Sequence, residues 1–452
     1  MKTVRKARFF GTGPHFTRPY FDVAMPFRST VQSRSTVVVT DKQSASSKKL
    51  KWRRGLAIFG VLAMLWLNLL FFLGFRDSMR RAYTDFSVFY TAGSILRQGL
   101  GHDLYNRQIQ FRVQEDFAGH LPFRHGPLPY IHPPFEAPLF LPLSYLSYPR
   151  ALELWDLLSL GMLFGVAVVL RRSVTMLRTT PLWKFVLGSL TFFPVFVCFL
   201  QGQDSILQLL LCAVAYSAMK RKADFFAGCW LALAAFKFQF TIPIVLLFFL
   251  WKRRKVALGF SAVGALLVLA SVALVGVKAM LDYPAFILRV VNSAGLGGVP
   301  LSLLPNLHGL ARGWPAPLSG LLGIVLAVAS SVALFAFAVV NGKVPEQAGG
   351  LELQFSLALV VSGLIAWQTN AHDLGLLSIA LILVADYCLA QTPEGEAPNF
   401  SLLLPVSPLL ISPLWMVLWF GVAQVNLVAI PLVWWSWRIS RELSRASQPR
   451  LA

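Results

Sequence analysis

Charged residues are scarce in this sequence. Only 13 % of its 452 residues are Asp, Glu, Lys or Arg, about half the share of an ordinary soluble protein. Apolar residues make up 56 % and gather in blocks of about 15–25, long enough to cross a hydrocarbon core of about 30 Å. The blocks do not alternate with polar residues, as the strands of outer-membrane barrels do. We therefore predict an all-α, polytopic membrane protein with about twelve transmembrane helices.

Cysteine pairs and common catalytic motifs are missing as well. The four cysteines Cys198, Cys212, Cys229 and Cys388 all fall in apolar blocks without a CxxC pair. This pattern implies neither a disulfide framework nor a metal knuckle. The sequence also has no GxxxxGK[ST] loop, HExxH or GxSxG motif, which excludes enzymes that depend on these signatures.

The apolar blocks place the membrane spans, and one pair of blocks is unusually short. The spans are predicted at roughly 55–75, 151–170, 183–200, 205–219, 225–237, 241–251, 256–276, 318–341, 353–367, 374–390, 401–419 and 421–437. As helices, 225–237 and 241–251 reach only about 20 and 17 Å, too little to cross. We therefore predict a hairpin with Lys237 at its turn, beside a cavity, since broken backbone at membrane depth needs protein or water around it.

The net charge of +21 is concentrated at one end of the chain. Residues 1–54 carry 13 Lys/Arg against two Asp, and their Ser/Thr-rich composition is typical of a disordered basic arm facing anionic lipid heads. A nucleic-acid partner would call for a basic folded module, which this composition does not suggest, so we expect no nucleic-acid partner. Residues 55–437 are predicted to form one transmembrane domain, followed by a basic tail at 438–452.

The distribution of basic residues also predicts the orientation. Five basic clusters share one side if both termini are cytoplasmic: 49–54, 171–184, 220–222, 252–255 and 438–450. The opposite short loops, 201–204 and 367–373, contain no Lys or Arg. Two long segments, 76–150 and 277–317, then become outer loops, where chemistry is commonly placed. These features predict a multi-pass plasma-membrane (inner-membrane) protein whose functional face is periplasmic or external.

The informative polar residues fall on this outer side, and each has two interpretations. Asp85 opens a helical stretch, either as an N-cap or as a general base at the membrane–water boundary. His132 precedes two prolines that fix the backbone, and it is either a turn residue or a ligand of a hydroxyl or phosphate. Lys237 either snorkels to the interface or meets an anionic phosphate, since a lysine at membrane depth costs at least about 2.5 kcal/mol.

Two further groups of polar residues have the same ambiguity. Gln201, Gln203 and Asp204 stand at a helix junction, where they form either a plain turn or hydrogen-bond partners for sugar hydroxyls. In Asn370-Ala-His372-Asp373 the last carboxylate could orient the imidazole, or it could cap the next helix.

The order of the motifs resembles a known family. They run Asp85-Phe-Ser-Val-Phe-Tyr-Thr-Ala-Gly, Gly101-His-Asp-Leu-Tyr105, Tyr130-Ile-His-Pro-Pro-Phe135 with Pro138 and Pro142, Gly202-Gln203, Ala227-Gly228 with Lys237, and Asn370-Ala-His-Asp373. Over residues 55–437 this resembles glycosyltransferase family 87, the polyprenyl-phosphate-mannose-dependent mannosyltransferases of GT-C architecture. The sequence departs from the family pattern at Phe238, where members commonly have proline, and at Asp373, where a second histidine is common.

The resemblance implies an inverting transfer of a sugar, expected to be mannose, from a polyprenyl phosphate to a glycolipid or glycan acceptor. It matches Asp85 and His372 to the family's candidate bases. The expected donor-phosphate ligands are Lys237, His132, His308 and Arg312. The expected sugar- or acceptor-binding residues are Gln201, Gln203, Asp204, Tyr90, Tyr105, Asn306, Asn370 and Asp373. No metal and no other cofactor is expected, and the protein is expected to be a monomer in contact with membrane lipids.

Two other classes of function remain open at this point. A multi-span transporter or lipid flippase would have the same spans and termini, although the polar residues lie at the outer ends of the spans and not at the midplane. A non-catalytic partner in an assembly is the other alternative. A pocket that gathers Asp85, Lys237 and His372 would favour the enzyme, and scattered positions would favour the assembly partner.

Overall fold

The computed structural model describes residues 36–118, 128–291, 299–343, 350–393 and 395–446, and this part of the chain contains helices and no strand. The α-helices are α1 (Thr36–Arg80), α2 (Phe86–Arg97), α3 (Arg107–Ala118), α4 (Tyr148–Arg171), α5 (Thr175–Thr179), α6 (Leu182–Thr191), α7 (Phe193–Gln201), α8 (Ser205–Lys220), α9 (Asp224–Leu233), α10 (Phe238–Leu250), α11 (Arg254–Val291), α12 (Leu307–Arg312), α13 (Leu321–Asn341), α14 (Gly350–Ile365), α15 (Leu377–Ala390), α16 (Ser412–Met416) and α17 (Ala429–Ala446). Short 3-10 turns link several of them.

The chain divides into two compact units, residues 1–58 and 59–452. The first contains the beginning of α1, which starts at Thr36, earlier than the predicted end of the basic arm at residue 54. The arm therefore stays a prediction for residues 1–35, which lie outside the described part of the chain. The predicted tail is helical in α17 as far as Ala446, and residues 447–452 also lie outside the described part.

The polytopic character is supported, but the predicted number of spans is not confirmed. Among the described residues, six helical segments are long and apolar enough to cross a membrane, and eight if two bent pairs are counted. The predicted span 183–200 is one bent pair: α6 and α7 meet at 84°. Pro194, in the first turn of α7, offers no N–H to a helix continuing from α6, which accounts for the break.

The predicted hairpin around Lys237 is present. Segment 224–250 is long and apolar enough for a single span, and as a straight helix it would be about 40 Å long. Instead Asp224 and Arg253 form an ion pair of 3.2 Å, so both ends of the segment lie together. A 3-10 turn at Ala234–Lys237 separates α9 from α10 and places the lysine at the tip.

The two ends of the helical bundle differ in their chemistry. At one end Lys220, the last residue of α8, pairs with Glu352 at the start of α14. At the same end the Thr175 N–H, just after α4, donates to Asp386 near the end of α15 at 3.1 Å. The basic clusters 171–184, 220–222 and 252–255 therefore lie at this end. The beginnings of α8 and α15, with Lys237, lie at the other end.

The segment between α1 and α4 folds over the end that holds Lys237. It docks on α11, which bends at Gly276, where φ is 83°. His102 Nδ1 lies 3.0 Å from the Val275 carbonyl at this bend, and the Tyr283 hydroxyl donates to the Ile131 carbonyl at 2.9 Å. The predicted span 256–276 ends at this same glycine. The docking holds the backbone next to His132.

The contact between α9 and α11 depends on two glycines. A Cβ at Gly228 would overlap the Val256 carbonyl oxygen, and one at Gly259 would overlap the Phe225 carbonyl oxygen. Such close approach of helix backbones is typical of small residues in membrane helices.

We predict that Gly228→Ala lowers the thermal unfolding midpoint in detergent, because α9 must move away from α11. Gly264→Ala in α11 is the matched control, since nothing lies within 4 Å of its added Cβ. The control should leave the midpoint unchanged or raise it slightly through helix propensity, worth at most about 1 kcal/mol. An equal response of the two variants would contradict the packing argument.

Candidate active site

Lys237 is the centre of a buried ionic cluster. Its ammonium lies 2.8 Å from Asp204 Oδ1 and 2.6 Å from Asp373 Oδ1, and it donates to Ser205 Oγ at 2.6 Å. The lysine is 3 % exposed, so it does not snorkel to the interface. Its three N–H donors are matched by three acceptors. The expectation that Lys237 binds the donor phosphate stays a prediction, and in this structure protein oxygens face its ammonium instead.

The two carboxylates that hold Lys237 come from helix beginnings but do not cap them. Asp204 precedes α8, reached through Gly202 at φ 63°, and its side chain makes no capping bond. Asp373 lies in the 3-10 turn before α15, and its Oδ2 accepts from the Asn370 N–H at 2.8 Å. The simple turn or cap interpretation of Asp204 is thus replaced by an ionic role.

His372 adjoins this cluster from the same turn. Its Nε2 lies 3.5 Å from Asp373 Oδ1, and its backbone carbonyl accepts from the Cys198 thiol at 3.4 Å. The imidazole is buried, with 5 % exposure of the residue. Asp373 therefore faces both His372 and Lys237, which fixes the position of the ring relative to the charges.

Asp85 lies on the rim of the cluster. Its Oδ2 accepts from Gln203 Nε2 at 2.6 Å, and its N–H donates to Gln201 Oε1 at 3.4 Å. The side chain makes no capping bond to α2, and the residue is half-buried, whereas Asp204 and Asp373 are buried. Asp85 is thus an accessible carboxylate that the neighbouring glutamines orient.

His132 and a residue that sequence reasoning missed, Glu136, complete the cluster. His132 Nδ1 lies 2.9 Å from Glu136 Oε2 and 3.3 Å from Asp204 Oδ2. Glu136 is fully buried and accepts from the Tyr130 hydroxyl at 3.3 Å. It directly follows the quoted motif that ends at Phe135. A lone carboxylate in the apolar run Pro-Phe-Glu-Ala-Pro-Leu was the signal available for it.

These groups perturb each other's protonation. Burial raises the pKa of Glu136 to about 7, and the adjacent Asp204 carboxylate acts in the same direction. Burial would also raise the pKa of Asp204, but the Lys237 ammonium and the His132 ring lower it below its ordinary value. Burial opposes protonation of His132, yet the two carboxylates raise its pKa overall. Asp204 is therefore ionised at neutral pH, next to the Lys237 ammonium.

Arg312 and His308 form a second polar group beside the loop that leads to His372. His308 stacks on Trp367, with ring centroids 3.7 Å apart, and its Nδ1 lies 2.8 Å from the Trp367 carbonyl, which requires an N–H at Nδ1. Its Nε2 then accepts from Arg312 Nη1 at 3.0 Å, and burial lowers the pKa of His308 in agreement with a neutral ring. Arg312 also donates to the Ser319 carbonyl at 3.1 and 3.3 Å. Of its five N–H donors, two have no partner among the described residues.

Three residues expected to bind sugar or acceptor make hydrogen bonds inside the protein. Tyr90 donates to the Leu146 carbonyl and Tyr105 to the His132 carbonyl, both at 2.7 Å. Asn306 caps α12 through the Gly309 N–H and donates to the Ala366 carbonyl. Their role in sugar or acceptor binding stays a prediction. Tyr105 positions His132.

The structure gathers Asp85, Lys237 and His372, as the catalytic hypothesis required. The connection runs from Asp85 through Gln203 to Asp204, from Asp204 to Lys237, and from Lys237 to the adjacent Asp373 and His372. The fold and this pocket define a helical membrane protein with a buried ionic cluster at one end of its bundle.

The comparison with known families agrees with this description. The sequence profile described as glycosyltransferase family 87 matches residues 130–365, more than half of the chain. The chain therefore belongs to glycosyltransferase family 87 and is a glycosyltransferase. No curated protein and no solved structure matches it. The matched region includes His132, Glu136, Asp204 and Lys237, and Asp85 and His372 lie outside it.

We predict that Lys237→Met lowers the free energy of unfolding by about 3–5 kcal/mol, because it leaves two buried carboxylates without their cation. Lys255→Met is the matched control. Lys255 is exposed at the start of α11, and we expect a change within about 0.5 kcal/mol. Denaturant titration in mixed micelles measures both variants. A Lys237→Met protein as stable as the control would contradict the buried cluster.

Proposed function

We propose that the protein transfers a glycosyl group, mannose in the first instance, with inversion from a polyprenyl-phosphate donor to a glycolipid or glycan acceptor. Family membership supports glycosyl transfer, and nothing observed supports the transporter alternative. The donor class rests on the motif resemblance. A pocket that meets a lipid-phosphate donor must open sideways to the bilayer.

Asp85 is proposed as the general base, and one observation carries this choice. Within the connected cluster Asp85 is half-buried, whereas Glu136, Asp204 and Asp373 are at most 3 % exposed. Asp204 and Asp373 are also neutralised by Lys237. Asp85 is thus the carboxylate that an acceptor hydroxyl can reach and that is free to take a proton. His372 is buried beside Asp373, which fits a positioning role better than proton transfer to solvent.

The reaction follows from this geometry. As Asp85 takes the acceptor's proton, the acceptor oxygen attacks the anomeric carbon from the side opposite the lipid phosphate. The glycosidic bond forms while the bond to the phosphate breaks, and the phosphate leaves with the electron pair. A phosphate is already a fair leaving group, so electrostatic stabilisation of its charge is the main requirement on that side.

The pocket is proposed to face the periplasm or cell exterior, with both termini cytoplasmic, in the plasma (inner) membrane. The support is the separation of the two ends of the bundle. Basic clusters at one end are typical of cytoplasmic loops, and the candidate site lies at the other end.

We predict that Asp85→Asn abolishes product formation while the protein stays folded. The assay incubates purified protein with polyprenyl-phosphate mannose and a membrane lipid extract and identifies the product by mass. Asp77→Asn, an exposed carboxylate near the end of α1, is the control and should retain activity. Full activity of Asp85→Asn would refute the assignment of the base, and no product from the unaltered protein would refute the donor class.

Arg312 is the proposed ligand of the donor phosphate, because two of its donors are free in the described part of the chain. We predict that Arg312→Gln raises the KM for the donor about 10- to 100-fold, the effect of losing a charged hydrogen bond of about 1.5–3 kcal/mol. Arg289→Gln, an exposed arginine of α11, should leave the KM unchanged. A fall in kcat without a rise in KM would contradict this role.

A further inference from the structure

The cluster of His132, Glu136 and Asp204 has the spacing of a metal-ligand set. Each residue offers one ligand atom, and these three atoms lie within 4.8 Å of one another. His132 Nδ1 is 2.9 Å from Glu136 Oε2 and 3.3 Å from Asp204 Oδ2. Neighbouring ligands of an octahedral ion with bonds of about 2.1 Å lie about 3 Å apart. The two distances from His132 Nδ1 are therefore close to the spacing of neighbouring ligands of one ion.

Both carboxylates in this set lack a complete set of hydrogen-bond partners. Glu136 Oε1 is buried and has no hydrogen bond or ion pair among the described residues. Asp204 Oδ1 forms the ion pair with Lys237 and Oδ2 lies 3.3 Å from His132 Nδ1, and neither oxygen accepts a hydrogen bond in the described part of the chain. A buried carboxylate oxygen without a donor carries a large desolvation cost. The other Glu136 oxygen, Oε2, and Asp204 Oδ2 both adjoin His132 Nδ1, so one cation placed there would contact both carboxylates.

The charge of the pocket also favours a bound cation. Glu136, Asp204 and Asp373 are at most 3 % exposed, and Lys237 pairs with the two aspartates. When all three carboxylates are ionised and His132 is neutral, as metal binding requires, the Lys237 ammonium leaves two negative charges unbalanced. A divalent cation held by a neutral His132 brings the balance to zero. Buried charges are normally paired or coordinate a metal.

The surroundings hold the ligands in place, as is usual for metal sites. The Tyr130 hydroxyl donates to Glu136 Oε2 at 3.3 Å, and the Tyr105 hydroxyl holds the His132 carbonyl at 2.7 Å. Two prolines follow His132, so its backbone has little freedom. Partners of this kind orient ligands and raise metal affinity.

We propose that His132, Glu136 and Asp204 bind one first-row divalent cation at the rim of the Lys237 cluster. Its further role rests on the proposed function: the cation would face the phosphate of the lipid donor and stabilise the leaving group. The mixed imidazole and carboxylate donors suit Mn²⁺ or Zn²⁺ better than a purely oxygen-ligated ion. The sequence-based expectation of no metal considered a single carboxylate with histidines and did not include Glu136.

The test measures metal binding without donor or acceptor. Purified protein is stripped with a chelator and titrated with Mn²⁺, and bound ion is counted by electron paramagnetic resonance. We expect one equivalent per chain, and at least about a tenfold loss of affinity in Glu136→Gln. Glu396→Gln, an exposed carboxylate near the end of α15, is the matched control and should bind as the unaltered protein does.

A second variant keeps the test informative if Glu136→Gln does not fold. If Glu136→Gln is not monodisperse, His132→Asn removes the nitrogen ligand and should give the same loss. The inference is overturned if the stripped protein binds neither Mn²⁺ nor Zn²⁺, or if folded Glu136→Gln or His132→Asn binds as tightly as the control. Binding with no sugar transfer would count against the proposed function alone. Transfer that persists in the chelated protein would count against the role of the ion at the phosphate.

Discussion

The buried ammonium of Lys237 is the constraint on which the rest of the structure depends. It joins the beginning of α8, the tip of the α9–α10 hairpin and the turn before α15 through Ser205, Asp204 and Asp373. Burial makes these contacts strong and also makes each partner necessary, since an unpaired charge at this depth costs several kcal/mol. Three elements distant in sequence are therefore fixed against one another at the point where the candidate site lies.

This arrangement separates positioning from chemistry. The residues closest to Lys237 neutralise it and are sealed from solvent, whereas Asp85 lies further out and is oriented by Gln201 and Gln203. A neutral amide beside a carboxylate fixes its direction without taking its charge. The rigid cluster thus supports an accessible base. Such support is expected where a side chain must be held in position to accept a proton.

The sequence predicted local features of this molecule better than it predicted contacts between residues that are distant in sequence. The hairpin followed from two apolar blocks too short to cross, flanked by basic residues, and the structure has it. The number of spans was not confirmed, because apolar length does not reveal where a helix bends, as α6 and α7 do at 84°. Lys237 was recognisable as a lone charge in an apolar run. Its pairing with Asp204 and Asp373 could not be read from residues so far apart in sequence.

The carboxylates of the candidate site repel the anionic phosphate of the proposed donor. The positions of the nearby cations therefore determine how such a donor can bind. Lys237 has no free donor, and His132 faces two carboxylates. The proposed sources of positive charge for a donor phosphate are Arg312, at the loop before His372, and an ion held by His132, Glu136 and Asp204. The two sources are compatible: a guanidinium can bind phosphate oxygens through its free N–H groups, while an ion can lie closer to the breaking bond. Asp204 pairs with Lys237 through one oxygen and faces the proposed ion site with the other. The same carboxylate therefore contributes both to the stability of the fold and to the electrostatics of donor binding.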